Sequence, residues 1–161
     1  MYVNVRSCRS SRTSTREPSL QQSPKRIVRD VDAAEVDRWF ADYLSAFAAC
    51  GRGETEAAGL LAFYGVPLLV STDDGFVALT TGDEVTAMAQ RQVDGMRAAE
   101  YHHSAVLDFE VSSLNTVTAL CRGTFSRRHR DGIEIGRLTA TYLVTRTLGN
   151  LRISALTVHS S

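Results

Sequence analysis

Residues 101–159 read YHHSAVLDFEVSSLNTVTALCRGTFSRRHRDGIEIGRLTATYLVTRTLGNLRISALTVH, broken as strands only at Arg127–Gly132 and Thr147–Asn150. Successive side chains of a strand point to opposite faces, so a period of two identifies one. In Tyr101–Val111, His103, Ala105, Leu107, Phe109 and Val111 share one face. His102, Ser104, Asp108 and Glu110 share the other, with Val106 an exception. Thr116–Ser126 sets Val117, Ala119, Cys121 and Phe125 against Thr118, Arg122 and Thr124. Ile133–Thr145 sets Leu138, Ala140, Tyr142 and Val144 against Arg137, Thr139 and Thr141. Leu151–His159 closes the series, with Ile153, Ala155 and His159 on one face. Consecutive long strands pair most simply as a meander. The stretch predicts one curved antiparallel sheet, with helices on one face and a second subunit on the other.

Working outward, Asp32-Ala33-Ala34-Glu35 has the spacing of a capping box. Val36, Phe40, Tyr43, Leu44 and Phe47 then recur at helical spacing, and Gly51 is placed for a left-handed C-cap. A second helix is expected over Glu54–Tyr64. Val66–Thr72 is a short strand in which Pro67 requires a first-residue or edge position. Asp73-Asp74-Gly75 is a hairpin turn, and Phe76–Thr80 returns. Thr81-Gly82-Asp83-Glu84 is another capping box, opening a third helix to about Ala99 with Val85, Met88, Ala89, Gln92 and Met96 on one stripe.

The chain has 161 residues, 43% of them hydrophobic, which suits one domain with one core. Formal net charge is +0, so no global field steers it to nucleic acid or membranes. Basic residues collect at the start: Arg6, Arg9, Arg12, Arg16, Lys25, Arg26 and Arg29, against Glu17 alone. Residues 1–29 have too little apolar content to offset ordering entropy, and a disordered basic tail is expected, with a natural start downstream as the alternative. The domain is expected over 30–161. Cys8, Cys50 and Cys121 have neither disulfide nor zinc spacing and fit free thiols in a reducing, cytoplasmic setting. His102 and His103, on one strand, point oppositely and do not chelate a metal together. Arg127-Arg128-His129-Arg130 is a solvated hairpin tip without an aromatic stacking platform, so no nucleic acid is expected. Gly51-Arg52-Gly53 is not a phosphate loop. No metal or cofactor is expected.

This order of helix, helix, short hairpin, helix and long strands resembles the nuclear transport factor 2-like superfamily. That α+β, cystatin-like cone includes SnoaL-like cyclases, ketosteroid isomerase and limonene epoxide hydrolase. The resemblance covers Val31 to His159. It is carried by Tyr43-Leu44-Ser45-Ala46-Phe47 ahead of Gly51, Leu61-Ala62-Phe63-Tyr64, Gly82-Asp83-Glu84-Val85, Arg122-Gly123-Thr124-Phe125 and Arg152-Ile153-Ser154-Ala155-Leu156. It implies three helices packed on a curved sheet around a pocket. Function does not follow from this fold alone.

The isomerase-like reading places Tyr43 at the family's helix-one tyrosine and Asp73 or Asp74 close to its base. The second acid has no counterpart in Thr139-Ala140-Thr141-Tyr142. The epoxide-hydrolase-like relay lacks a carboxylate in Arg152-Ile153-Ser154-Ala155. Asp108 and Arg137 remain as a pair on neighbouring strands, readable as an ordinary cross-strand ion pair. No catalytic residue is assigned; Tyr43, Asp73 and His103 are the candidates. Phe40, Tyr43, Tyr64, His103, Tyr142 and His159 are the expected ligand-binding residues. The expectation is a binding protein for a small hydrophobic molecule, homodimeric through its sheet. The alternatives are a cofactor-free isomerase, cyclase or dehydratase, and a non-catalytic interaction module.

Overall fold

The computed structural model describes residues 31–159. The expected basic tail therefore lies outside the described residues. Helix α1 spans Ala33–Gly51, and Asp32 caps it by accepting the Ala34 amide at 3.3 Å. Glu35 does not complete the expected capping box. Its carboxylate instead accepts from Arg146 Nη1 at 3.0 Å and Nη2 at 2.6 Å. A forked guanidinium pair is stronger than a single amide contact. The left-handed residue after α1 is Gly53, at φ +76°, not Gly51. Gly51 is the last residue of the helix, and the Tyr101 ring lies against it; a Cβ there would meet Tyr101 Cδ1 at 2.6 Å.

The expected second helix is only a 3-10 segment, Ala57–Ala62. The sheet takes the residues that would have extended it. Ile153 donates its amide to the Phe63 carbonyl at 2.8 Å, and Tyr64 already pairs with Ile153 as the first residue of β1. Strand β1 (Tyr64–Thr72) and β2 (Gly75–Leu79) form the expected hairpin around Asp73-Asp74. Strand β1 is interior rather than an edge. Pro67 is tolerated because it falls in the skip between Tyr64 and Leu69 and before β2 pairing begins at Leu68. Helix α2 (Gly82–Ala98) opens with the expected reciprocal capping box between Thr81 and Glu84.

Strands β3 (His103–Asn115), β4 (Thr118–Arg128), β5 (Glu134–Thr147) and β6 (Asn150–His159) form the expected antiparallel meander. Strand β1 joins β6 in parallel, giving the order β2-β1-β6-β5-β4-β3 in one six-stranded sheet. Both helices and the 3-10 segment cover one face. The core between them is aromatic. Phe40 packs its ring centroid 4.5 Å from Phe109 and 4.9 Å from Tyr142. Val85, Met88, Ala89, Val93 and Met96 bury one side of α2.

Two bulges decide which residues face the helices. The β3–β4 register steps from Val106↔Phe125 to Asp108↔Thr124, leaving Leu107 extra. The β5–β6 register steps from Val144↔Ile153 to Leu143↔Ala155, leaving Ser154 extra. Each extra residue inverts the alternation beyond it. Cross-strand partners share a face. Ser104 and Val106 therefore lie with Phe109 and Val111 toward the helices, while His103 and Ala105 lie outside. Likewise Leu156 and Val158 face inward, and Ala155 and His159 outward.

Candidate functional site

A cavity of about 200 Å³ lies between α1, α2 and the inner face of the sheet. Helix α1 contributes Tyr43, Leu44 and Phe47, successive residues of its inward stripe. Helix α2 contributes Gln92, and β3 contributes Ser104. The central strands supply Phe125, Arg127, Leu138, Ala140, Tyr142, Leu156 and Val158. The lining is largely apolar, with few directional groups, as small-molecule sites are.

Tyr43 Oη and Tyr64 Oη are hydrogen-bonded at 2.8 Å in the interior. The Tyr142 hydroxyl has no hydrogen-bond partner among the described residues. Burial pushes Tyr43 and Tyr142 well above the ordinary tyrosine range, and Arg127 pulls both back only in part. Both are neutral phenols at physiological pH, fit to donate a hydrogen bond and unfit to act as bases. Arg127 makes no ion pair among the described residues.

Gln92 and Arg127 also border a second hollow of about 340 Å³, lined by Arg91, Gly95, Met96, Ala99, Tyr101 and Ile135. These two side chains stand between the apolar cavity and an outer vestibule along α2. A third hollow, of about 410 Å³, is lined by Arg52, Arg97, Arg130 and His102, among others. Two of its cations are already committed. Arg52 pairs with Glu54 at 2.6 Å, and Arg97 donates to the Cys50 carbonyl at 3.0 and 2.9 Å.

Of the residues expected from sequence, Tyr43 and Tyr142 line the cavity. Phe40 and Tyr64 lie one layer deeper: Phe40 is wedged among aromatic rings and Tyr64 stands behind Tyr43. His103 and His159 are on the outer face, for the reason the bulges give. His159 Nε2 there bonds Thr141 Oγ1 at 2.8 Å. Asp73 is in the β1–β2 turn and is not part of the lining. Asp108 and Arg137 do not pair: β4 runs between their strands, and Arg137 contacts Glu134 at 3.3 Å. His102 and His103 do not diverge, because His102 precedes β3; their Nδ1 atoms are 3.2 Å apart. Among the described residues no group of three metal-ligating side chains converges.

Arg127, Gln92 and Ser104 are the polar lining residues that sequence reasoning did not place. Arg127 is two residues beyond Phe125 on β4, so extending the alternation through the supposed basic turn finds it. Gln92 was visible as a polar residue on an otherwise apolar stripe. Ser104 had no such signal, since the bulge at Leu107 inverts its face. Among the described residues, the lining holds no carboxylate and no imidazole. The site can therefore donate hydrogen bonds and offer positive charge, but no lining side chain is placed to abstract a proton at neutral pH.

The architecture recurs in solved structures. A putative calcium/calmodulin dependent protein kinase II association domain from Xanthomonas campestris superposes with a TM-score of 0.60 at 13% identity, covering 82% of this chain and 89% of that one. A protein of unknown function with a cystatin-like fold from Nostoc punctiforme gives 0.59 at 10% identity, covering 80% and 92%. A putative scytalone dehydratase from Novosphingobium aromaticivorans gives 0.56 at 13% identity, covering 78% and 81%. At these identities the likeness is one of fold. No curated protein matches the chain by sequence. A family model does, over residues 34–161. The chain thus belongs to the NTF2-like protein family DUF6841.

Proposed function

We propose that the protein binds a small, mostly apolar molecule in the cavity between α1 and the sheet. The observation that carries this reading is the lining: aliphatic and aromatic walls around a Tyr142 hydroxyl without a hydrogen-bond partner among the described residues. A volume of about 200 Å³ lies below the roughly 300–1,000 Å³ of drug-sized sites. A ligand of one ring with a short substituent fits better than a fused polycyclic skeleton. A thermal-shift screen of such compounds tests the reading. A ligand present at about 100 times its Kd adds about 2.7 kcal/mol, or roughly 8 °C for a domain of this size. Leu138→Trp, which projects into the cavity, should abolish the shift while leaving the fold intact. No stabilisation by any member of the panel, or an equal shift in Leu138→Trp, would overturn it.

A cofactor-free isomerase, cyclase or dehydratase is the second reading. It is favoured by two buried neutral phenols at one cavity and by the fold shared with the putative scytalone dehydratase. It ranks second because the lining supplies no base. Turnover of a bound compound that Tyr142→Phe slows would promote it.

The outer face supports a homodimer. Pairing register aligns Leu69, Ala155, Leu143 and Leu120 in one apolar row across β1, β6, β5 and β4. Leu69 is 38% and Leu120 37% exposed. Light scattering should give twice the chain mass, and Leu143→Glu should halve it. A monomer at high concentration refutes the dimer.

A further inference from the structure

We infer that the ligand is an amphiphilic monoanion, with a carboxylate seated on Arg127 and an apolar body in the cavity beneath Tyr142. The inference rests on the binding reading above and adds the chemical class of the bound molecule. Its basis is an uncompensated charge. Among the described residues, the two hollows that meet at Gln92 and Arg127 are lined by two cations, Arg91 and Arg127, and by no Asp or Glu. Arg52, Arg137 and Arg146 each have a carboxylate partner; Arg127 has none among the described residues.

A cation half-buried against apolar walls is costly without a counter-charge, and a guanidinium offers forked donors that match a carboxylate. Strand alternation fixes the direction of the side chain. Phe125 closes the cavity floor and Arg127, two residues on, projects from the same face at its mouth. Gln92 stands beside it as a neutral donor. The Tyr142 phenol, deeper in the same wall, is placed for a carbonyl or hydroxyl on the body of the ligand. A neutral ligand would leave Arg127 desolvated and unpaired. Arg91 lines only the outer hollow and is exposed, so one guanidinium, Arg127, borders the apolar cavity and matches a single charge.

The experiment is calorimetric titration at low salt with phenyl-substituted alkanoates of two to five carbons, each paired with the alcohol of the same length. Wild-type protein should bind the best acid about tenfold or more tightly than its alcohol. Arg127→Gln should bring the two within about twofold, chiefly by weakening the acid, and raising the salt should weaken only the acid. Circular dichroism and Tm establish that Arg127→Gln folds; should it not, the salt dependence in wild type reads the same quantity. Equal binding of acid and alcohol overturns the inference and leaves the binding reading standing. An acid preference that survives Arg127→Gln removes Arg127 from the site. No binding of any acid or alcohol by folded wild-type protein overturns both.

Discussion

Replacing Tyr43 by Phe tests the interior beneath the cavity most directly, because the consequence depends on which hydroxyl is left behind. Tyr43 and Tyr64 are 5% and 2% exposed, and their hydroxyls bond each other at 2.8 Å. Tyr64 Oη has no other hydrogen-bond partner among the described residues. Tyr43→Phe therefore strands a hydroxyl in a dry interior, at about 1–3 kcal/mol. Tyr64→Phe strands the hydroxyl of Tyr43, a residue that borders the cavity, where water can replace the lost bond. That change should cost about 0.5–1.5 kcal/mol. The double substitution removes both partners and keeps both ring shapes, so it should lie within about 1 kcal/mol of wild type. Urea unfolding followed by far-UV circular dichroism, with equal m-values across the set, gives the cycle. Calorimetry should show Tyr43→Phe melting roughly 3–10 °C lower and the double variant recovering most of that loss. Additive losses would show that the two hydroxyls do not depend on each other. Equal single losses would refute the claim that the cavity hydrates one of them.

Other outcomes follow from named contacts. Gly123→Ala would drive a Cβ into Phe125 Cζ, a ring held in the buried aromatic cluster, so it should lower stability by about 1–3 kcal/mol in a melt. Glu35, held below its ordinary value by the Arg146 guanidinium, contributes stability that is full above the usual carboxylate range and is lost as pH falls through its lowered folded value. Glu35→Gln should thus cost at most about 1 kcal/mol at neutral pH, the pair being partly exposed, and the gap to wild type should narrow as pH falls below the usual carboxylate range in acid titrations. Burial pushes the Cys121 thiol up to about 12, so mass-mapped alkylation of native protein at pH 8 should leave Cys121 unlabelled until urea is added.

Much of the fold was legible because its signals are local. Thr81 and Glu84 cap α2 as their spacing requires, and Asp73-Asp74-Gly75 turns β1 into β2. The inner faces of β4 and β5 carry Ala119, Cys121, Phe125, Ala140, Tyr142 and Val144, all buried as alternation predicts. Failures arose wherever a distant partner competed for a local signal. Glu35 left its cap for Arg146, some hundred residues away in sequence. Tyr64 left a helix for the edge of β6. The site was less legible than the fold. Tyr43 and Tyr142 were found, whereas Phe40 and Tyr64 share the right face at the wrong depth.

Periodicity and capping by themselves determined an α+β domain: helices, a short hairpin, and a meander with one apolar face. These are nearest-neighbour properties, set by backbone geometry and the alternation of side chains. Only tertiary structure decided which polar groups meet. A bulge is an extra residue accommodated by pairing with another strand, so it carries little mark in its own strand. The bulges at Leu107 and Ser154 each invert one strand end. Together they move His103 and His159 to the outer face and bring Ser104 and Val158 to the cavity, where β4's unbroken alternation sets Arg127 at the mouth.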